Sequence, residues 1–241
     1  MSWVSYAQNG EDVRLHRAFR DQSTGFYIDV GANDPVDTRL VTSLARPGGN
    51  VTGTAWSPAE MAGKQLALLK EALPRISRVS VLRNPAGEGE QRTWQEMEAV
   101  ARRLRVTIQP RDVKDPKDFP GAFSAMTRTR PDALITLLSP LTSAYRPIIV
   151  EFATTQRLPT MFGQWADVEA GGLMSYSASA ADLFRRAATY VDRILKGARP
   201  GDLPIEQPTK FELAINLRTA KTLGITFPPS VLLQADKVID Q

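Results

Sequence analysis

The chain has 241 residues, enough for one large domain or two small ones, and its 42% hydrophobic and 23% charged residues exclude disorder, collagen and coiled coil. Cysteine is absent and His16 is the only histidine, which excludes disulfide frameworks, thiolate chemistry and zinc or His-rich metal sites, and leaves a Ser-His-Asp catalyst only His16 to use. A net charge of +4 is too small an excess to mark a nucleic-acid surface by itself.

From residue 58 onward, short apolar runs alternate with amphipathic helical patterns. Ser57-Pro58 starts a helix with Met61, Leu66, Leu69 and Leu73 on one face, and Pro74 stops it. Residues 79–82 read as a buried strand. Trp94, Met97, Ala101 and Leu104, at spacings of three and four, give the second helix, and 106–108 the next strand. The pattern then predicts a helix over 115–130, a strand over 133–138, a helix over 143–157, and short strands over 160–163 and 173–176. A loop holding Trp165 and Gly171-Gly172 lies between those last two strands. The clearest helix follows: Leu183, Ala187, Tyr190 or Val191, and Ile194 form one stripe, with Asp182 near its start and Gly197 at its end. Beyond Gly197 the prolines at 200, 204, 208, 228 and 229 break the chain into short elements. They include an alternating segment over 211–217 and a short helix over 219–223, read as a tail packing back across the domain.

Strands alternating with helices of this length predict βαβ units, a parallel sheet covered on both faces, and the α/β class. Arg102, Arg103 and Arg105, and Arg185 and Arg186, fall on helix patterns with apolar residues opposite, so they read as solvated faces, and no nucleic-acid partner is expected. No stretch approaches the roughly 18 apolar residues of a membrane span. The N-terminus lacks a basic region followed by an apolar one, so as written the chain is expected to be cytoplasmic.

Two stretches resemble two families. Ser43-Leu-Ala-Arg-Pro-Gly-Gly-Asn-Val-Thr-Gly53, Val81-Leu-Arg-Asn-Pro85, Glu169-Ala-Gly-Gly-Leu-Met-Ser-Tyr176, Asp182-Leu-Phe-Arg-Arg-Ala-Ala-Thr-Tyr190 and Leu203-Pro-Ile-Glu-Gln-Pro-Thr-Lys-Phe-Glu-Leu213 resemble, in that order, the substrate-binding proteins of ABC transporters, in the branch with tryptophan- and tyrosine-type members. Ser5-Tyr-Ala-Gln-Asn-Gly-Glu-Asp12 and Gly25-Phe-Tyr-Ile-Asp-Val-Gly-Ala-Asn-Asp-Pro-Val36 are similar to the start of FkbM-type methyltransferases. The second resemblance implies an S-adenosylmethionine loop after Asp29-Val-Gly-Ala32 but stops near residue 37, before the acidic residue that would hold the ribose. Together they predict a chimera joined near Asp34-Pro35-Val36.

The first resemblance implies a periplasmic-binding-protein type I-like α/β fold of Rossmann-like parallel-sheet lobes with a truncated N-terminal lobe. On this reading 1–37 is a methyltransferase-like fragment, 38–77 a remnant of the N-terminal lobe, 78–190 a complete C-terminal lobe and 191–241 a tail returning to the first lobe. It implies a non-catalytic receptor for an amino acid-like solute, serving an ABC permease, without cofactor or metal. Ligands bind at the carboxyl ends of parallel strands, which makes Asn84, Ser139, Pro140, Gly163, Gln164, Trp165, Ser175 and Tyr176 the candidates, with Thr54 from the first lobe. Asn84 before Pro85 also suits a turn, Trp165 a cover for the core edge, and Tyr176 plain packing. An incomplete first lobe predicts weakened binding and self-association through an exposed sheet edge. The alternatives are a methyltransferase fragment and a functionless chimera.

Overall fold

The computed structural model describes residues 27–32, 41, 43–55, 58–86 and 90–240. The chain divides into two compact units: residues 1–57 with 178–210, and residues 58–177 with 211–241.

The larger unit is built on a seven-stranded sheet. Its strands are β3 (Arg78–Arg83), β4 (Thr107–Asp112), β5 (Ala133–Thr136), β6 (Thr160–Phe162), β7 (Met174–Ala178), β8 (Phe211–Asn216) and β9 (Lys237–Ile239), in the order β4-β3-β5-β6-β7-β8-β9. β4, β3, β5, β6 and β7 run parallel, with Arg78 opposite Thr107, Val79 opposite Ala133, Leu134 opposite Thr160 and Met161 opposite Met174. β8 turns back: Asn216 N–H bonds the Leu173 carbonyl while Phe211 stacks on Tyr176, so the two strands run in opposite directions. β9 is parallel to β8.

Strand alternation divides the core in two. Val79, Val81, Ala133, Ile135 and Met161 point to one face, where α1 (Pro58–Ala72) and α2 (Glu90–Leu104) lay down Leu66, Leu69, Met97 and Ala101. Ala220 of α8 (Leu217–Leu223) and Val231 of α9 (Pro229–Leu232) complete that layer. Leu82, Leu134 and Phe162 point to the other face, against Phe119 and Met126 of α3 (Phe119–Thr129) and Ile149 and Ala153 of α5 (Arg146–Thr155). Burial on both faces explains why these strands read as continuous apolar runs. Pro110, with no N–H to offer, blunts the edge strand β4 against pairing with another chain.

The smaller unit holds a parallel pair, β1 (Tyr27–Ala32) and β2 (Val51–Ala55), with α7 (Ala180–Leu195) packed against both. Ala55 N–H bonds the Glu206 carbonyl at 2.9 Å, Glu206 N–H bonds Gly53 at 3.1 Å, and Thr52 Oγ1 donates to Leu203 at 2.9 Å. Residues 203–206 thereby lie along β2 as a further extended segment. Val41, Ala55 and Ile205 form a small core. On α7, Leu183, Ala187 and Tyr190 are buried, and Tyr190 donates its hydroxyl to the Pro204 carbonyl.

Several expectations change. The helix predicted over 115–130 starts as a 3-10 turn at Pro116–Asp118, where Asp115 and Asp118 form a reciprocal capping box. The helix predicted over 143–157 is two, α4 (Pro140–Ala144) and α5, because Pro147 cannot donate back into the preceding turn. Trp165 opens a short helix, α6 (Trp165–Glu169), where a loop was expected, and the strand β9 was not foreseen. The division of the chain also falls elsewhere. Residues 178–210, read as the end of one lobe and the start of a tail, belong to the smaller unit, while 211–241 supply β8 and β9 to the larger unit's sheet. Continuous patterning within 178–241 hid the crossing at Lys210. Residues 1–26, most of the methyltransferase-like stretch, lie outside the described residues.

Candidate ligand site

The parallel strands of the larger unit end along one edge, and most of the candidates stand there. Asn84 follows β3, and its Oδ1 accepts the Ala86 N–H at 3.1 Å, closing a turn in front of the strand. Ser139 caps α4 beyond β5: its Oγ accepts from Thr142 N–H at 3.1 Å, and Thr142 Oγ1 accepts the Ser139 N–H at 2.9 Å. The Ser139 hydroxyl is thus engaged in the cap, and Pro140 is exposed as the first residue of α4. Gly163 follows β6 and is buried; a Cβ there would stand 3.0 Å from Leu138 Cβ. Its missing side chain lets the loops after β5 and β6 approach.

Those two loops are cross-linked. Gln164 Nε2 donates to Ser143 Oγ at 3.1 Å, and the Arg146 guanidinium pairs with Asp167. Burial raises the Asp167 carboxyl above the usual carboxylate range against the opposing pull of Arg146. The pair fixes α6, and with it Trp165, beside β6.

Trp165 and Tyr176 are not brought together by their strands. Lys237 Nζ lies 5.3 Å from the Trp165 ring centroid and 2.9 Å from Glu212 Oε2, on the face to which Glu212 and Ala214 point. Tyr176 points to the opposite face and stacks on Phe211, with centroids 5.7 Å apart. Burial and the charge of Asp236 raise its phenol above the ordinary value. Ser175 alternates with Tyr176 and turns its Oγ into the sheet's other face, buried and without a hydrogen-bond partner. Thr54 lies in β2 of the smaller unit, also buried with its Oγ1 unpartnered.

Residues beyond the sequence candidates also serve this edge. Gln65 of α1 is buried and donates Nε2 to the Tyr176 carbonyl at 2.9 Å and toward the Phe162 carbonyl at 3.5 Å, bridging the ends of β6 and β7. One signal was available, a lone amide inside an apolar helical stripe. At the end of β3, Arg83 stands 4.4 Å over Trp94, bonds Asp112 at 2.8 Å and lies 3.6 Å from Glu90. Burial pushes the Glu90 carboxyl up to about 7. Among the described residues no cluster of His, Cys, Asp and Glu could hold a metal, and no helix is long and apolar enough to cross a membrane. A separate cavity of about 210 Å³ opens at the opposite, amino-terminal edge of the sheet, lined by Val150, Leu158, Thr160, Gly172, Arg218 and Thr222 among others.

Parallel strands, two-faced helical cover and a site edge built from crossover loops define an α/β binding fold. The family model for ABC transporter substrate binding proteins matches residues 28–239, and the chain belongs to that family. The match takes in β1, so residues 28–37, read from the sequence as part of a methyltransferase-like fragment, fall to the substrate-binding family. A tyrosine-binding protein of Clostridioides difficile (strain R20291) is 25% identical over 198 residues, 82% of this chain. The chain spans 56% of that relative's length. A solved ABC domain in complex with L-Trp from Streptococcus pneumoniae is 28% identical with a TM-score of 0.80, covering 91% of this chain and 75% of that one. A conserved domain protein from Vibrio cholerae shares the fold, with a TM-score of 0.79 at 24% identity over 92% of this chain and 74% of its own. The fold is the type I periplasmic-binding-protein fold.

Proposed function

We propose that this chain is a non-catalytic receptor for an amino acid or closely related solute, held at the carboxyl-terminal strand edge of the larger unit and handed to an ABC permease. The observation that carries the reading is the 28% identity, over 91% of this chain, to a protein solved with L-Trp. The edge supplies the chemistry such a solute needs. Gln65, Asn84 and the loop backbones offer neutral hydrogen-bonding groups, and the Tyr176–Phe211 stack offers an aromatic surface.

Isothermal titration calorimetry with tryptophan, tyrosine and leucine, and with S-adenosylmethionine as the competing arm, tests the reading. Saturable binding of an amino acid, weakened at least tenfold by Tyr176→Ala, is the expected result. Heat with S-adenosylmethionine alone, or with none of the four, overturns it. The same titration decides the weakened affinity expected from the sequence.

A further inference from the structure

Among the described residues of the smaller unit, Arg185 and Arg186 pair with Asp182, Arg186 also with Glu206, Lys196 with Asp192 and Arg199 with Asp202, while Arg193 is exposed. At the carboxyl-terminal strand edge of the larger unit, Arg83 and Arg146 are paired too, with Asp112 and Asp167. At the opposite edge of that sheet Arg75, Arg78, Arg105, Arg130, Arg157 and Arg218 are all exposed. Among the described residues none of these six takes part in an ion pair.

Strand register puts them on one surface. Arg75 and Arg78 lie at the start of β3, Arg105 before β4, Arg130 before β5 and Arg157 before β6, and all four strands are parallel. Arg157 donates Nη2 to the Thr222 carbonyl at 2.9 Å, which brings α8 and Arg218 to the same edge. The last turns of α2 and α3 add Arg102, Arg103 and Arg128. Of the carboxylates at this edge, Glu71 accepts from Ser230 and Gln234, and Asp132 accepts from Ser77 and the Arg78 N–H and also feels the Arg78 charge. Glu169 and Asp240 complete the acidic side.

A cation near a helix C-terminus complements the helix dipole, and Arg78 does bond the Thr129 and Arg130 carbonyls. That account does not reach the backbone. Arg105, Arg130 and Arg157 have φ of 54°, 46° and 52°, and they are the non-glycine residues at positive φ among those described. Each ends a helix in the left-handed conformation that glycine takes without strain. Three times, on one edge, the chain places a guanidinium where the backbone favours having no side chain.

Arg75, Arg78, Arg105, Arg130 and Arg157 stand along the ends of adjacent strands about 4.8 Å apart, beside the cavity that Arg218 helps to line, and no aromatic residue adjoins any of the five in the chain to stack on bases. Guanidinium forks match phosphodiester oxygens two at a time. We propose that this edge of the larger unit is a docking face for an anionic phospholipid surface, with the arginines on the lipid phosphates. The proposal does not depend on which solute the other edge binds.

Co-sedimentation of the full chain with phosphatidylcholine vesicles, with and without about a third phosphatidylglycerol, tests it, at low salt and at about 0.5 M salt. Binding to the anionic vesicles alone, lost at high salt, is the expected result. The variant Arg105→Gly/Arg130→Gly/Arg157→Gly removes three charges at positions where glycine suits the fold. At about fivefold per charge, its partition coefficient falls roughly a hundredfold while a thermal melt stays cooperative, and the corresponding triple Lys variant retains most of the binding. Equal binding to neutral vesicles, or undiminished binding by the triple Gly variant, overturns the proposal. Preferential capture of an RNA or duplex DNA oligonucleotide over the anionic vesicles overturns it in favour of a nucleic-acid face.

Discussion

The two edges of the seven-stranded sheet come from the same strands and carry opposite solutions. At the carboxyl-terminal edge the loops satisfy one another: Ser139 with Thr142, Gln164 with Ser143, Arg146 with Asp167. At the amino-terminal edge the polar backbone is closed locally by helix ends, and the side chains turn outward as unpaired arginines. The difference teaches that a preorganised edge must spend its polar groups on each other, since a group left unsatisfied under a ligand is costly. A long-range electrostatic face has no such requirement.

The largest test breaks the first edge. Arg146→Ala leaves the Asp167 carboxylate buried without its partner, and a loss of about 3 kcal/mol is expected in urea unfolding. If Arg146→Ala is neutral, the loops are not held by this pair. Gly172→Ala comes next and acts on the other edge. Its Cβ would meet Phe162 Cε2 at 2.6 Å and the Asp167 carbonyl at 2.8 Å, and overpacking costs about 2 kcal/mol.

Glu90 supplies a pH test. Its folded-state pKa, about 7, lies above the ordinary 4.5 because burial disfavours the charge. The folded protein therefore holds the proton more tightly than the unfolded chain, and this contribution is present below pH 4.5 and lost as pH rises through about 7. After discounting for partial solvent screening, Glu90→Gln is expected to be about 1 to 2 kcal/mol more stable than the parent above pH 7, with a flatter stability profile between pH 4.5 and 7. A parent whose stability does not fall across that window contradicts the burial. Ser139→Ala removes a cap and is expected to cost about 1 kcal/mol, read as a lower urea midpoint. The smallest effect has the reverse sign. Arg105→Gly relieves a left-handed residue and is expected to stabilise by about half a kcal/mol, which sharpens the contrast by showing that the arginine is not there for the fold.

Much of the larger unit was legible in the sequence. The stripe of Met61, Leu66 and Leu69, the continuous runs at β3 and β5, and the 183–194 stripe with its gap of four at Leu183 and Ala187 stand where their periodicity predicted, because local burial alone dictates them. The candidate site was read from the sequence as a set of strand-end loops, and the structure sets those that follow β3, β5 and β6 along one edge of the sheet. Which members share a face was not legible: Trp165 and Tyr176 diverge because strand alternation and the seating of α6 by Arg146–Asp167 decide their directions. Lys237, in a three-residue strand with no pattern of its own, reaches Trp165 only through β8, and Gln65 acquires its role from strands a hundred residues away.

The arginines make the same point from the opposite side. Read in sequence, Arg102, Arg103 and Arg105 were one helix's solvated face, and nothing set them beside Arg75, Arg130, Arg157 or Arg218. By itself the sequence determined the α/β class and most of the element order, because composition and short-range periodicity report what each segment must bury, and its phrases such as Ser43–Gly53 and Glu169–Tyr176 pointed to the family that the family model matches. Only the tertiary structure decided where the chain divides, which residues share an edge and how the cations gather. Parallel register sets side by side loops that lie some 25 to 55 residues apart in the chain, and no local pattern records that neighbourhood.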